Sequence, residues 1–142
     1  MLQIVSREGK MIQKLYENKI TITAIAQISR IKPYANFTNI ALQKIFFINN
    51  NNEYGFDHVW LQGRDYKLCS KLANVEESQW VEITFDFYEY RDKINRNKGG
   101  RRMKGLTIKS YKVLDKEQTE KEIGSKFNEL KGYAFNNFDY LK

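Results

Sequence analysis

From Trp80 to Tyr90 the chain runs in strict period two: Val81, Ile83, Phe85 and Phe87 are apolar, and Glu82, Thr84 and Asp86 between them are polar. Successive side chains of an extended strand point to opposite faces. The pattern therefore buries one face and sends Trp80, Glu82, Thr84, Asp86, Tyr88 and Tyr90 to the other. On a helix the same apolar residues would fall on two opposite sides and form no single buried face. A lone strand is not stable in water, so the rest of the chain must supply its partners.

Several other segments have strand character. Residues 20–29 are rich in β-branched side chains and alternate, with Ile20, Ile22, Ala24, Ala26 and Ile28 on one face. Pro33 with Ala35-Asn36 predicts a turn, and a second strand follows over 37–48. Its apolar phase changes near Lys44-Ile45, as at a bulge that bends a strand round a barrel corner. The polar run 49–53 precedes a third strand over 54–61, which Gly63 ends. Asp65 caps a short helix through Leu72, with Leu68 and Leu72 toward the barrel. The alternating segment is the fourth strand. A fifth spans 105–113, with Leu106 and Ile108 inward and Lys109 and Tyr111 outward. Asp115-Lys116-Glu117-Gln118 has capping-box spacing, and Ile123, Phe127 and Leu130 continue at helical spacing up to Gly132. The expected organisation is an N-terminal extension over 1–19, compatible with a short strand and a helical turn, then a β-domain over 20–114 and a C-terminal helix with an aromatic tail over 115–142.

Charge narrows the function. Lys and Arg number 24 against 17 Asp and Glu, a formal net charge of +7, which favours a polyanionic partner. No apolar window is long enough to cross a bilayer, and the first residues lack the apolar core of a signal peptide, which predicts a cytoplasmic protein without a membrane partner. The single Cys69 and single His58 exclude an intramolecular disulfide and a structural zinc site, and no metal or cofactor is expected. Asp57 and His58 are adjacent on a strand and so point apart, which spoils them as a base and its orienting partner. No P-loop, nucleophile elbow or dinucleotide fingerprint occurs, so the expectation is a non-enzymatic protein with no catalytic residue.

Five strands with a short helix between the third and fourth is the element order of an OB-fold, a Greek-key barrel used for oligonucleotides. The segments 57–61, 80–90 and 104–108 resemble the second half of small OB-fold proteins carried by plasmids and phages. Among these the chain is similar in kind to single-stranded DNA-binding proteins of Gram-positive conjugative plasmids, the PrgE-like proteins. The resemblance covers residues 20–114 in element order. It implies a mainly β, five-stranded OB-fold barrel that binds single-stranded DNA in plasmid transfer or phage DNA metabolism. The chain departs from the common bacterial single-stranded DNA-binding protein at its end, where a helix, an aromatic segment and Lys142 stand in place of a disordered acidic tail.

Binding a single strand without strict base reading requires cations along the phosphates and flat rings for the bases. Arg91, Lys93, Arg96, Lys98, Arg101, Arg102 and Lys104 fall within 91–104, seven cations with one acid, around Gly99-Gly100. This stretch joins the fourth and fifth strands, a place where OB-folds commonly touch their ligand. Tyr88 and Tyr90 on the fourth strand, with Lys109 and Tyr111 on the fifth, flank it on the outward face. Tyr34 and Phe37 border the first hairpin. On the third strand His58 and Trp60 share one face and Val59 and Leu61 the other; either pair can be inward, and Trp60 is a candidate when it is outward. Each ring can instead be spent on packing between strands, and Trp80 is expected to anchor a barrel rim.

The expected function is single-stranded DNA binding with little sequence specificity, with RNA as a variant and with self-association along the strand through the termini. The alternative, from a different class, is an OB-type protein-interaction module or inhibitor whose basic face meets an acidic protein.

Overall fold

A computed structural model describes residues 2–7, 9–33, 38–48, 53–61, 71–72, 74–91 and 102–128. In chain order they form β1 (Gln3–Ile4), α1 (Lys10–Glu17), β2 (Ile22–Pro33), β3 (Thr38–Phe47), β4 (Tyr54–Leu61), β5 (Trp80–Arg91) and β6 (Arg102–Val113). A last helix, α2, runs through Lys116–Thr119, Glu120–Gly124 and Ser125–Asn128, its middle stretch with π-type hydrogen bonding.

The strands make one mainly antiparallel sheet in the order β1-β4-β3-β2-β5-β6, with β1 parallel to β4. The expectation of five strands closed into a barrel is corrected on both counts. Six strands lie among the described residues, and the sheet is open, with β1 and β6 at its edges. β4 and β6 approach within 8 Å between Cα atoms but share no ladder among the described residues. The additional strand is β1, too short to have shown a period.

One face of the sheet carries the main core. Ile22, Ala24, Ala26 and Ile28 of β2, Ile40, Leu42, Ile45 and Phe47 of β3, Val59 and Leu61 of β4, and the four expected apolar residues of β5 are all buried there. Edge-to-face pairs knit its aromatic end: Phe47 and Phe56 lie 5.2 Å apart at 82°, and Phe85 and Phe87 5.3 Å apart at 89°. Such pairs add about 0.5–1.5 kcal/mol each beyond their burial. The phase change of β3 is a bulge, since the register with β2 shifts between Ile25 and Gln27, and Lys44 there has φ 52°. A second shift falls between Ile28 and Arg30, and β2 runs on beyond the expected end at residue 29 to Pro33, where the expected turn begins.

Ile20 is corrected as a core residue, being 42% exposed, because the chain is still leaving α1 at that point. Lys19 adopts φ 54°, its N–H donates to the Tyr16 carbonyl (3.1 Å), and the Ile20 N–H donates to that of Leu15 (2.9 Å). These are the two bonds of a Schellman motif, here with lysine at the left-handed position. The helix they end is amphipathic: Ile12 is fully buried in the main core, and Met11, Leu15 and Tyr16 pack against it.

The opposite face of the sheet carries a smaller cluster of Leu2, Trp80, Ile123 and Phe127, with Ile4, Ile25 and Phe46 packed against it. Trp80 does alternate outward but is fully buried, because α2 covers it. Its indole N–H donates to Glu120 Oε2 at 2.7 Å. The same carboxylate lies 3.4 Å from Gln27 Nε2 and 3.9 Å from Lys44 Nζ, and Gln43 Nε2 donates to Gln27 Oε1 at 2.8 Å. Gly124 leaves room for this: a Cβ there would stand 2.7 Å from Glu120 Oε1, so a side chain would push the carboxylate from its place. Asp115 caps α2 as expected, accepting from the Gln118 N–H at 2.8 Å. The short helix expected over 65–72 is represented by Lys71 and Leu72, which are helical, with Leu72 fully buried; 65–70 lie outside the described residues, as do Leu130, Gly132 and the aromatic tail.

Candidate nucleic-acid interface

β5 and β6 form the longest ladder of the sheet, from Val81–Val113 to Arg91–Arg102. β2, on the other side of β5, reaches only to the Ile22–Phe85 pair. Among the described residues the stretch from Asp86 to Arg91 is thus paired on one side alone, and it carries the best candidate surface.

Tyr88 and Tyr90 are half-buried on the outward face of this stretch, with ring centroids 5.8 Å apart and planes at 41°. Gly105 stands opposite Tyr88 in the ladder and, having no side chain, leaves the room that the phenol ring occupies. The Arg7 guanidinium, from the N-terminal stretch, lies 3.5 Å from the Tyr90 hydroxyl and 3.4 Å from the Lys104 carbonyl. Nothing in the spacing of Arg7 pointed to this position, which arises from the long-range fold.

Arg91 and Arg102 are exposed and directly opposite each other. Like charges facing across a ladder are unfavourable, and here both act on the Glu89 carboxylate, which offsets part of their repulsion. Arg102 Nε lies 3.7 Å from Glu89 Oε1, on the face of Glu89 rather than that of Tyr88 and Tyr90. Arg91 and Arg102 therefore lie on the face of the β5–β6 ribbon opposite Tyr88 and Tyr90, which corrects the expectation of one shared face for these two cations.

Lys104 is also corrected. It is 2% exposed, 3.0 Å from Glu89 Oε2, with its ammonium 5.1 Å from the centre of the Tyr16 ring. β6 starts three residues earlier than the alternation from Gly105 suggested, which puts Lys104 in phase with Leu106 and Ile108 and under α1. The hydrogen bond from Lys104 holds the Glu89 carboxyl below the usual carboxylate range.

Lys109 is exposed, 3.1 Å from Asp86 Oδ2, while the Thr21 hydroxyl donates to Asp86 Oδ1 at 2.7 Å. The Thr21 bond first, and Lys109 after it, hold Asp86 below its ordinary pKa. Tyr111 is not on the outward face with Lys109. The register shifts between Thr84 and Phe85, so Lys109 is the extra residue of a bulge and Tyr111 returns to the side of Ile83, packed against the main core.

On β4, Val59 and Leu61 are the buried pair, and His58 and Trp60 are half-buried on the other face. Trp60 stands opposite Ala41, and in the sheet order β3 and β2 separate its strand from β5. Tyr34, Phe37, Lys93, Arg96, Lys98 and Arg101 lie outside the described residues. Among the described residues no three His, Cys, Asp or Glu side chains gather where they could hold a metal ion, and no helix is long and apolar enough to cross a membrane.

No protein-family model matches the chain, and no curated protein matches it. Among solved structures it is similar to Schizosaccharomyces pombe Pot1pC bound to single-stranded DNA (CGGTTACGGT), with 13% sequence identity and a TM-score of 0.48 over 90% of this chain and 97% of that one.

Proposed function

We propose that this chain is a non-enzymatic, cofactor-independent binder of single-stranded nucleic acid, DNA ahead of RNA, on an OB-type sheet. The observation that carries the reading is the Tyr88–Tyr90 pair on a half-paired strand that leads through the opposed Arg91 and Arg102 into 92–101, where Lys93, Arg96, Lys98 and Arg101 accompany a single acid. Rings of this kind stack on bases at about 1–3 kcal/mol per base whatever the sequence, and the cations follow the phosphates. The ladder order supports the OB-type reading: β2, β3 and β4 form a meander, and β5 and β6 add as a hairpin on the far side of β2. In the finer reading the protein is cytoplasmic, resembles the PrgE-like type, serves plasmid transfer or phage DNA metabolism, and self-associates along DNA through its termini.

The test is an anisotropy titration with labelled oligothymidine at two salt concentrations. Binding is expected to weaken steeply with salt, with a slope of about −0.7 per phosphate contacted. The combined change of Arg96, Lys98, Arg101 and Arg102 to alanine is expected to reduce both affinity and slope. Absence of binding at low salt, or a slope that the four substitutions leave unmoved, rules the proposal out.

A further inference from the structure

A strand whose bases stack on Tyr88 and Tyr90 carries its phosphates past these rings, so a cation is needed on their side of the sheet. The described cations of the β5–β6 stem do not supply it. Arg102 and Lys104 are 3.7 and 3.0 Å from the Glu89 carboxylate, on the other face, and Arg91 stands opposite Arg102 there. Lys109 is spent on Asp86 Oδ2 at 3.1 Å.

The cation that reaches the rings comes from outside the stem. The Val5 N–H donates to the Gly55 carbonyl at 2.9 Å and holds the N-terminal stretch beside β4. The chain then turns, with the Gly9 N–H on the Ser6 carbonyl at 3.0 Å, before α1 begins at Lys10. Arg7 is the first corner residue of that turn, and its Nη1 lies 3.5 Å from the Tyr90 hydroxyl and 3.4 Å from the Lys104 carbonyl. Both acceptors are neutral, and both distances are long for a hydrogen bond. Among the described residues no carboxylate pairs with this half-buried guanidinium, and its Nε and Nη2 donate to none of them.

A guanidinium carries five N–H donors in a rigid fork that matches the oxygens of a phosphate. With Nη1 anchored at Tyr90 and Lys104, the Nε–Nη2 edge is left for two parallel bonds to such an anion. We propose that Arg7 grips a phosphate of the bound strand, beside the base that stacks on Tyr90. The inference rests on the single-strand-binding reading and deepens it, because it adds a backbone contact from outside the basic stretch 91–104.

Anisotropy titrations of labelled oligothymidine over a salt series compare the wild-type chain with Arg7→Ala, Arg7→Gln and Arg7→Lys. Loss of one phosphate contact is expected to flatten the salt slope by roughly 0.7 and to weaken binding at low salt on the order of tenfold. Alanine and glutamine should both show this. Lysine keeps the charge and should keep the slope, while losing part of the affinity because it lacks the fork. Glutamine can still donate to the Lys104 carbonyl, so it carries the test if the alanine variant does not fold. A residue that only ties the N-terminal stretch to β6 would lower the melting temperature on substitution and leave the slope unmoved. A wild-type slope in Arg7→Gln therefore overturns the phosphate contact and leaves single-strand binding in place. Absence of binding by the wild-type chain overturns both proposals.

Discussion

The ring of Tyr88 lies so close over Gly105 that a methyl group added to the glycine would stand 2.4 Å from Tyr88 Cζ and 2.6 Å from its hydroxyl oxygen. The glycine is thus what allows the outer face of the β5–β6 ribbon to present this ring flat, and two neighbouring strands position one candidate platform.

Replacing Gly105 by alanine should displace the ring rather than break the ladder, since the atoms in the way are the far end of a side chain. The expected cost in stability is about 1 kcal/mol, read by urea denaturation. The loss in oligothymidine affinity should match that of Tyr88→Ala, about 1–3 kcal/mol for one stacked base. Unchanged affinity in Gly105→Ala would remove Tyr88 from the interface.

The cations of the β5–β6 stem should separate into two kinds. Lys104→Ala strips a buried stem and ammonium from beneath Tyr16 and is expected to cost about 2 kcal/mol of stability, with the salt dependence of binding unchanged. The double change of Arg91 and Arg102 to alanine removes the opposed exposed pair. It should leave the melting temperature nearly as it is and flatten the salt slope by roughly 1.4, the contribution of two phosphate contacts. Melting curves and titrations at several salt concentrations measure both.

Acid should destabilise the fold through three carboxylates. Thr21 donates to Asp86, Lys104 to Glu89 and Lys126 to Glu53, and each bond holds its carboxyl below the ordinary value. A folded-state pKa below the unfolded one means that the stabilisation is complete above the unfolded values, roughly pH 4, and disappears as pH falls through the folded ones. The melting temperature is expected to be flat from neutral pH to about pH 5.5 and to drop below about pH 4.5. Asp86→Asn should make that drop shallower.

Lys19 occupies the left-handed position of the Schellman turn with φ 54°, a conformation that costs a side-chain-bearing residue about 1 kcal/mol. Lys19→Gly is therefore expected to raise stability by about 0.5–1 kcal/mol. A loss of stability in chemical denaturation would show that the lysine side chain contributes more there than its backbone costs.

What the sequence disclosed about this fold depended on the length and independence of each signal. β5 was legible from Val81 to Phe87, because its alternation there is long and its inward face meets apolar neighbours. The core positions of β2 from Ile22 to Ile28, the bulge at Lys44 and the cap at Asp115 were legible for the same reason, each resting on local chemistry. β1 and α1 were legible only as the compatibility of 1–19 with a short strand and a helical turn, because two residues carry no period. Trp80 alternates outward, and only the docking of α2, with Glu120 turned back beside Gly124, buries it. The candidate surface was legible in part. Tyr88 and Tyr90 followed from alternation, whereas Tyr111 was misplaced by a one-residue bulge at Lys109, and Lys104 by a strand that begins three residues early. Arg7 beside Tyr90 could not be foreseen, since 83 residues separate them.

β5 is held very differently at its two ends. Trp80 is clamped beneath a helix and flanked on both edges, while beyond Phe85 only β6 accompanies the strand, and the break in the β5–β6 register falls at that same point. Mechanically it is a beam fixed at one end, with its compliance concentrated at a single joint. On the proposed single-strand-binding reading, any adjustment of the hairpin to a strand is taken up at that joint, away from the Trp80 clamp.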